Sequence, residues 1–287
     1  MTAPTQTAEV DESLSFVEVG QAGDTGLQAV ERDARRADRV RLVVQPVAAL
    51  LLAAGVLIWA LVLTDLNDTQ KATVNWTNIR DLTLEHLKIT FAVALIVVVV
   101  AIVVGTLVTR PGLTWLSPLF IGIANIGASA PAIGLLVLFY LWVQEGGVWS
   151  FLEGDTFWVG VLPLALYALL PVLRNTILGY QEVDPILVDA GRGQGMSAWT
   201  VLRRVEFPLA VPYILAGLRT SLVLAVGTAT LVFLVGAGGL GQLIDTGYKL
   251  NDMVALLVGA LLAVALALLV DWVGALAEQV LGPKGLR

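Results

Sequence analysis

The sequence predicts an all-α membrane protein, a polytopic bundle of about six transmembrane helices, and three observations carry that prediction. Of 287 residues, 57% are hydrophobic and 14% charged, with a mean hydropathy of +0.83, against roughly 25% charged in an ordinary soluble domain. Several apolar runs reach the ~18 residues that mark a membrane span. The cations are also asymmetric along the chain. With the N-terminus inside, twelve of the 17 Lys and Arg fall on inner segments or the span ends beside them, four on outer segments or the span ends beside them, and Arg219 deeper within a span, as the positive-inside rule requires.

Residues 1–41 carry acids early (Glu9, Asp11, Glu12, Glu18, Asp24) and a basic run late (Arg32, Arg35, Arg36, Arg39, Arg41). Too apolar-poor to fold alone, they are expected to form a disordered cytoplasmic tail. They lack the basic start followed by a short apolar stretch of a cleaved signal peptide. The expected spans are Leu42 to Thr64, Leu87 to Val108, Leu116 to Val143, Phe157 to Leu178, Pro212 to Val235 and Met253 to Leu276. Residues 42–86 then form the first helix and outer loop, 87–276 a core, and 277–287 a cytoplasmic C-terminus. The third segment holds Pro118, Pro131, Gly122, Gly127 and Gly134. It reads either as one kinked helix or as a re-entrant piece followed by a short helix, and irregular backbone at that depth belongs beside protein or a water-filled cavity.

Several chemistries are excluded. Cysteine is absent, which removes disulfides and thiolate sites. A net charge of -6 offers no basic surface to nucleic acid. No Gly-Lys pair exists for a phosphate-binding loop, so the chain binds no ATP by that device. His86, the one histidine, has no second imidazole to complete a metal site and reads as an interfacial surface residue. Gly236, Gly238 and Gly241 spell the dinucleotide fingerprint, but a membrane span precedes them where a strand is required, so they read as a flexible turn at the outer end of the fifth span.

The inner loop 179–211 carries the functional argument. Asp184 can cap a short helix that Pro185 opens, Gly191, Gly193 and Gly195 weaken or end it, Ser197 caps a second helix over Ala198 to Glu206, and Pro208 closes that one. The apolar edge of Ile186, Leu187 and Ala190 suits either a groove on a partner protein or the lipid surface.

The run Asp189-Ala190-Gly191, three residues, Gly195, nine residues, Val205, one residue, Phe207-Pro208 resembles the EAA loop of the permease subunits of binding-protein-dependent ABC importers. That pattern is Glu-Ala-Ala, three residues, Gly, nine residues, Ile, one residue, Leu-Pro. The resemblance covers about residues 85 to 276. Within it, Ala124 to Phe139 and Ala216 to Gly241 are similar to the osmoprotectant permeases for glycine betaine, carnitine and choline, though methionine and other amino-acid permeases share parts of them.

The resemblance implies the type I importer architecture and a bacterial inner-membrane location with both termini cytoplasmic. It implies an external solute-binding protein, a second permease subunit (identical or not) and a separate cytoplasmic ATPase that binds the ATP and docks on the EAA loop. This chain itself would be no enzyme and would hold no cofactor. Asn125, Thr228, Thr230 and Arg219 are the candidates for the translocation path, because polar groups at membrane depth are functional by default. Hydrogen bonding between helices, or anchoring for Arg219 and Asp271 near the inner end, is the other use of such groups. An ion-coupled carrier working without ATP is the competing class, but this sequence lacks the midplane acids and paired broken helices such proteins carry.

Overall fold

The computed structural model describes residues 40–146 and 149–282. The expected tail therefore lies outside the described residues save for its last two positions, as do residues 283–287. By its contacts the chain divides into Met1–Val44 and Gln45–Arg287. Of the first unit the described part, Val40–Val44, is helical.

Eleven helices follow in order among the described residues. They are α1 (Val40–Leu63), α2 (Asp68–Thr73), α3 (Trp76–Val108), α4 (Ser117–Ser129), α5 (Ala132–Gln144), α6 (Thr156–Gln181), α7 (Pro185–Gly193), α8 (Ala198–Val201), α9 (Phe207–Ala229), α10 (Gly241–Leu250) and α11 (Met253–Leu281). Five stretches are long and apolar enough to cross a membrane, α1, α3, α6, the run Ala198–Ala229, and α11. Side-chain caps define the starts: Asn67, Asn75, Asp155, Asp184, Ser197 and Asp252 each accept a bond from an N–H of the following turn, satisfying donors that the first turn leaves free.

The third expected segment is a broken pair. Helices α4 and α5 meet at Ala130 and Pro131 with a bend of 102°, so the segment is two helices at a sharp break, either a broken span or a re-entrant piece. The break follows from proline's missing donor and its bias of the preceding residue toward extended backbone, and Ala130 is extended at ψ 142°.

Helices α3, α6 and α9 form the centre. Val93, Val97 and Ala101 of α3 pack with Leu164, Ala168 and Val172 of α6 and Ala210, Ile214 and Ala225 of α9. Small residues set the distances: a Cβ at Gly217 would lie 2.7 Å from the Pro171 carbonyl oxygen, and one at Gly105 2.6 Å from Thr176 Cγ2. Such close approach is how helices associate where lipid removes the hydrophobic drive. Around this centre, α4 lies on α6, and α10 and α11 form a second cluster with α1 through Val56, Leu243, Val258 and Leu262. The opposite face of α3 exposes Phe91, Leu95, Val99, Val103 and Leu107, a stripe at helical spacing that fits acyl chains.

Pro208 does not close a helix. Residues Leu202–Glu206 form a wide turn of the π type that joins α8 to α9, and Phe207 N–H donates to Leu202 O, five residues back. The widened register accommodates Pro208 in the first turn of α9, where its missing N–H costs little. The chain is thus helical from Ala198 to Ala229.

Candidate functional site: an exposed loop helix and a broken helix

Asp184 Oδ1 accepts from Ile186 N–H at 2.8 Å and Pro185 occupies the first position of α7. The helix ends in a Schellman arrangement: Gly195 N–H donates to Arg192 O at 2.9 Å and Met196 N–H to Gly191 O at 3.2 Å. Gly195 is left-handed at φ +82°, the position where glycine terminates a helix at least cost. Ser197 then caps α8.

Of the loop residues singled out by sequence, Asp189, Ala190 and Gly195 are exposed, as is Pro208. Gly191 is buried, and a Cβ there would lie 3.5 Å from both Met196 Sδ and Val201 Cγ2 and 3.8 Å from Val205 Cγ2. Val205 and Phe207 are half-buried, Phe207 against the central cluster. The spacing therefore brings Gly191 and Val205 together, while Asp189 faces out with Arg192 at 3.8 Å. Ile186 is 72% exposed, Leu187 47% and Trp199 69%, so α7 and α8 present three large apolar side chains that are left uncovered among the described residues.

Beneath α7 lies a polar junction that sequence reasoning missed. Arg110, just beyond α3, pairs with the largely buried Glu206 of the wide turn, and its guanidinium stands 5.2 Å from the centre of the Tyr180 ring of α6. Thr106 Oγ1 donates to Tyr180 Oη at 2.9 Å. Arg110, Tyr180 and Glu206, with Val188, Asp189 and Arg192, line a cleft of about 400 Å³. The junction joins the ends of α3 and α6 to the start of α9, next to α7. Nothing local signals a pairing across 96 positions.

The path candidates are not brought together. Asn125 Oδ1 accepts from Arg174 Nη2 at 2.9 Å, linking α4 to α6 close to the break. Arg219 instead joins α9 to α11: its Nε donates to Asp271 Oδ1 at 2.6 Å, and Glu278 lies 3.7 Å away. Gln45 Nε2 donates to Asp271 Oδ2 at 2.7 Å. Thr228 and Thr230, at the other end of α9, bond back to carbonyls of their own helix, Leu224 O at 2.8 Å and Gly227 O at 2.7 Å.

At that end the expectation for His86 is corrected. It is fully buried, with Nε2 3.0 Å from Val226 O, because the glycine-rich turn folds over it. Gly236, Gly238 and Gly239 all have positive φ, and Gly239 N–H donates to Glu85 Oε2 at 3.1 Å. The turn expected to be flexible is thus latched onto α3.

Residues 101–281 match the family described as "Binding-protein-dependent transport system inner membrane component". The chain is 34% identical over 213 residues to the osmoprotectant import permease protein OsmW of Salmonella typhimurium, covering 72% of this chain and 93% of that one. It is 35% identical over 203 residues to the glycine betaine/carnitine/choline transport system permease protein OpuCB of Bacillus subtilis, covering 71% and 88%. Among solved structures, an inward-facing form of the MetNI methionine ABC transporter is similar with a TM-score of 0.59 and 25% identity, covering 71% of this chain and 96% of that one. A helical bundle with a protruding loop helix, matched along nearly the whole length of these permeases, is a member of the binding-protein-dependent transport system inner membrane component family.

Proposed function

We propose that this chain forms half of the path by which an ATP-driven importer brings in a small osmoprotectant of the glycine betaine, carnitine and choline class. Family membership sets aside the carrier that works without ATP. The observation that carries the substrate class is the identity of 34–35% over more than 70% of the chain with permeases named for those solutes. In this reading α7 is the coupling helix. Its exposed Ile186 and Leu187, together with Trp199 of α8, insert into a groove on a cytoplasmic ATPase, and the Arg110, Tyr180 and Glu206 junction carries the movement into α3, α6 and α9. An external binding protein delivers the solute, a second permease subunit completes the path, and both termini lie in the cytoplasm.

The test is ATP-dependent uptake of labelled glycine betaine at high osmolarity, in cells lacking other uptake systems and expressing the complex with its neighbouring subunits. Competition by choline or carnitine is the expected result. Uptake of methionine in place of glycine betaine would move the substrate to the amino acids, the second reading, which the methionine transporter's structure favours. Coupling is tested separately by Gly195→Asp, which strains the left-handed position and sets a negative charge at a helix C-terminus, and by Ile186→Asp on the exposed face. Both should insert normally in the membrane yet lose ATPase association and uptake; full uptake in both would refute the docking role.

A further inference from the structure

Arg174 is an exposed arginine on a membrane-crossing helix, and its side chain does not reach for the nearer interface. It stands seven residues from the end of α6, about 10 Å along the axis. Its partner Asn125 precedes by two residues Gly127, whose Cβ position lies 2.8 Å from the Leu166 carbonyl oxygen. Leu166 is eight residues, roughly 12 Å, further from that end than Arg174. The guanidinium is therefore drawn toward the middle of the bundle. It has no carboxylate partner among the described residues; the neutral Asn125 oxygen orients it and leaves the charge uncompensated.

Two independent features say that this face does not meet hydrocarbon. An arginine at depth in lipid costs at least about 2.5 kcal/mol. Five residues beyond Asn125 the backbone itself breaks at Ala130 and Pro131, and irregular backbone at depth is tolerated only beside protein or a water-filled cavity. Resting on the importer reading above, we infer that Arg174, oriented by Asn125, is an anion-selecting residue of the solute path: it receives the carboxylate of a zwitterionic solute and disfavours a purely cationic one. A charge-assisted bond to a carboxylate forms only with a solute that carries one. Choline, with a quaternary ammonium and no carboxylate, meets only the repulsion.

The test uses the complete importer in proteoliposomes. Arg174→Gln should lower the ratio of glycine betaine to choline uptake roughly ten- to a hundredfold, the size of a charge-assisted hydrogen bond, while Arg174→Lys retains most of it. Equal loss of both solutes in Arg174→Gln, the mark of a structural or subunit-contact role, would overturn the inference, as would an unchanged ratio. A second readout is independent of the solute. The chain has no cysteine, so Arg174→Cys introduces its only thiol, which should react with the anionic, membrane-impermeant sulfonatoethyl methanethiosulfonate. A thiol that stays unmodified refutes the placement on an aqueous path. If the wild-type complex carries neither solute, the osmoprotectant reading fails, and the labelling result alone decides the placement of Arg174.

Discussion

Arg219 and Asp271 form a two-point guanidinium–carboxylate pair, Nε to Oδ1 at 2.6 Å and Nη2 to Oδ2 at 3.1 Å, between α9 and α11. Both side chains are mostly buried, 22% and 14% exposed, so water screens the pair little. Glu278 is farther off and more exposed and cannot replace the lost carboxylate. Asp271→Asn, which removes the two-point partner and leaves Arg219 with the more distant Glu278, should therefore lower stability by about 1–3 kcal/mol, the cost of losing a charge-assisted bond. The double variant Arg219→Met with Asp271→Leu should recover most of it. Thermal unfolding of the purified complex in detergent measures both, and a single variant as stable as wild type would show the pair to be dispensable.

The α6 and α9 crossing depends on Gly217, whose Cβ would sit 2.7 Å from Pro171 O and 2.8 Å from Asn175 Cβ. Neither contact is the end of a flexible side chain, so Gly217→Ala must push the helices apart, at about 1–3 kcal/mol. Gly122 on α4 has nothing within 4 Å of its Cβ position. Gly122→Ala should thus leave stability unchanged or raise it by up to about 1 kcal/mol. Thermal stability of the two variants, measured side by side, separates helix packing from propensity; equal values would remove the close-packing argument.

What the sequence made legible was local. Asp184, Pro185 and Ser197 act within three residues of themselves, so their capping roles could be read directly, and so could long apolar helices. Glycine spacing around 191–195 likewise marked the end of α7. The misreadings, Pro208 apart, involve partners far away in sequence. His86 looks solvent-facing beside Glu85 and Lys88 until residues 236–240, some 150 positions on, close over it. Pro208 looks like a stop because a single π-type turn is invisible in periodicity, and that turn removes the conflict. Asn125 stands out by its depth in the sequence, whereas Arg174, near the inner end of its expected span, does not, since nothing in the chain order says that its head points back toward Asn125.

The latch between Glu85 and the glycine-rich turn makes a separate prediction. Three positive φ values within four residues, at Gly236, Gly238 and Gly239, are affordable only for glycine, and a Cβ at Gly238 would collide with the Glu85 carboxylate. Glu85→Ala should release the Gly239 N–H, raising hydrogen exchange there and exposing His86 to diethyl pyrocarbonate, while α7 keeps its wild-type protection. Gly238→Ala should do the same more severely. Protection of Gly239 unchanged in Glu85→Ala would mean that packing over His86 alone holds the turn.

Gly191 stands where the EAA pattern has alanine, and the structure gives that departure a physical measure. The position is buried, yet its Cβ site is 3.5 Å from Met196 Sδ and Val201 Cγ2, ordinary contact distances, and its φ is not among the positive values. An alanine methyl thus fits without displacement and removes the entropy that glycine loses in a helix, about 1 kcal/mol. Gly191→Ala should slow hydrogen exchange at Gln194, Gly195 and Met196, whose N–H groups close the end of α7, by up to about fivefold for that energy. Because α7 forms a small part of the bundle, the overall unfolding temperature should hardly move, and uptake should persist if a better-formed docking helix is compatible with coupling. Faster exchange at those amides would show that glycine is required there for a conformation other than the one described.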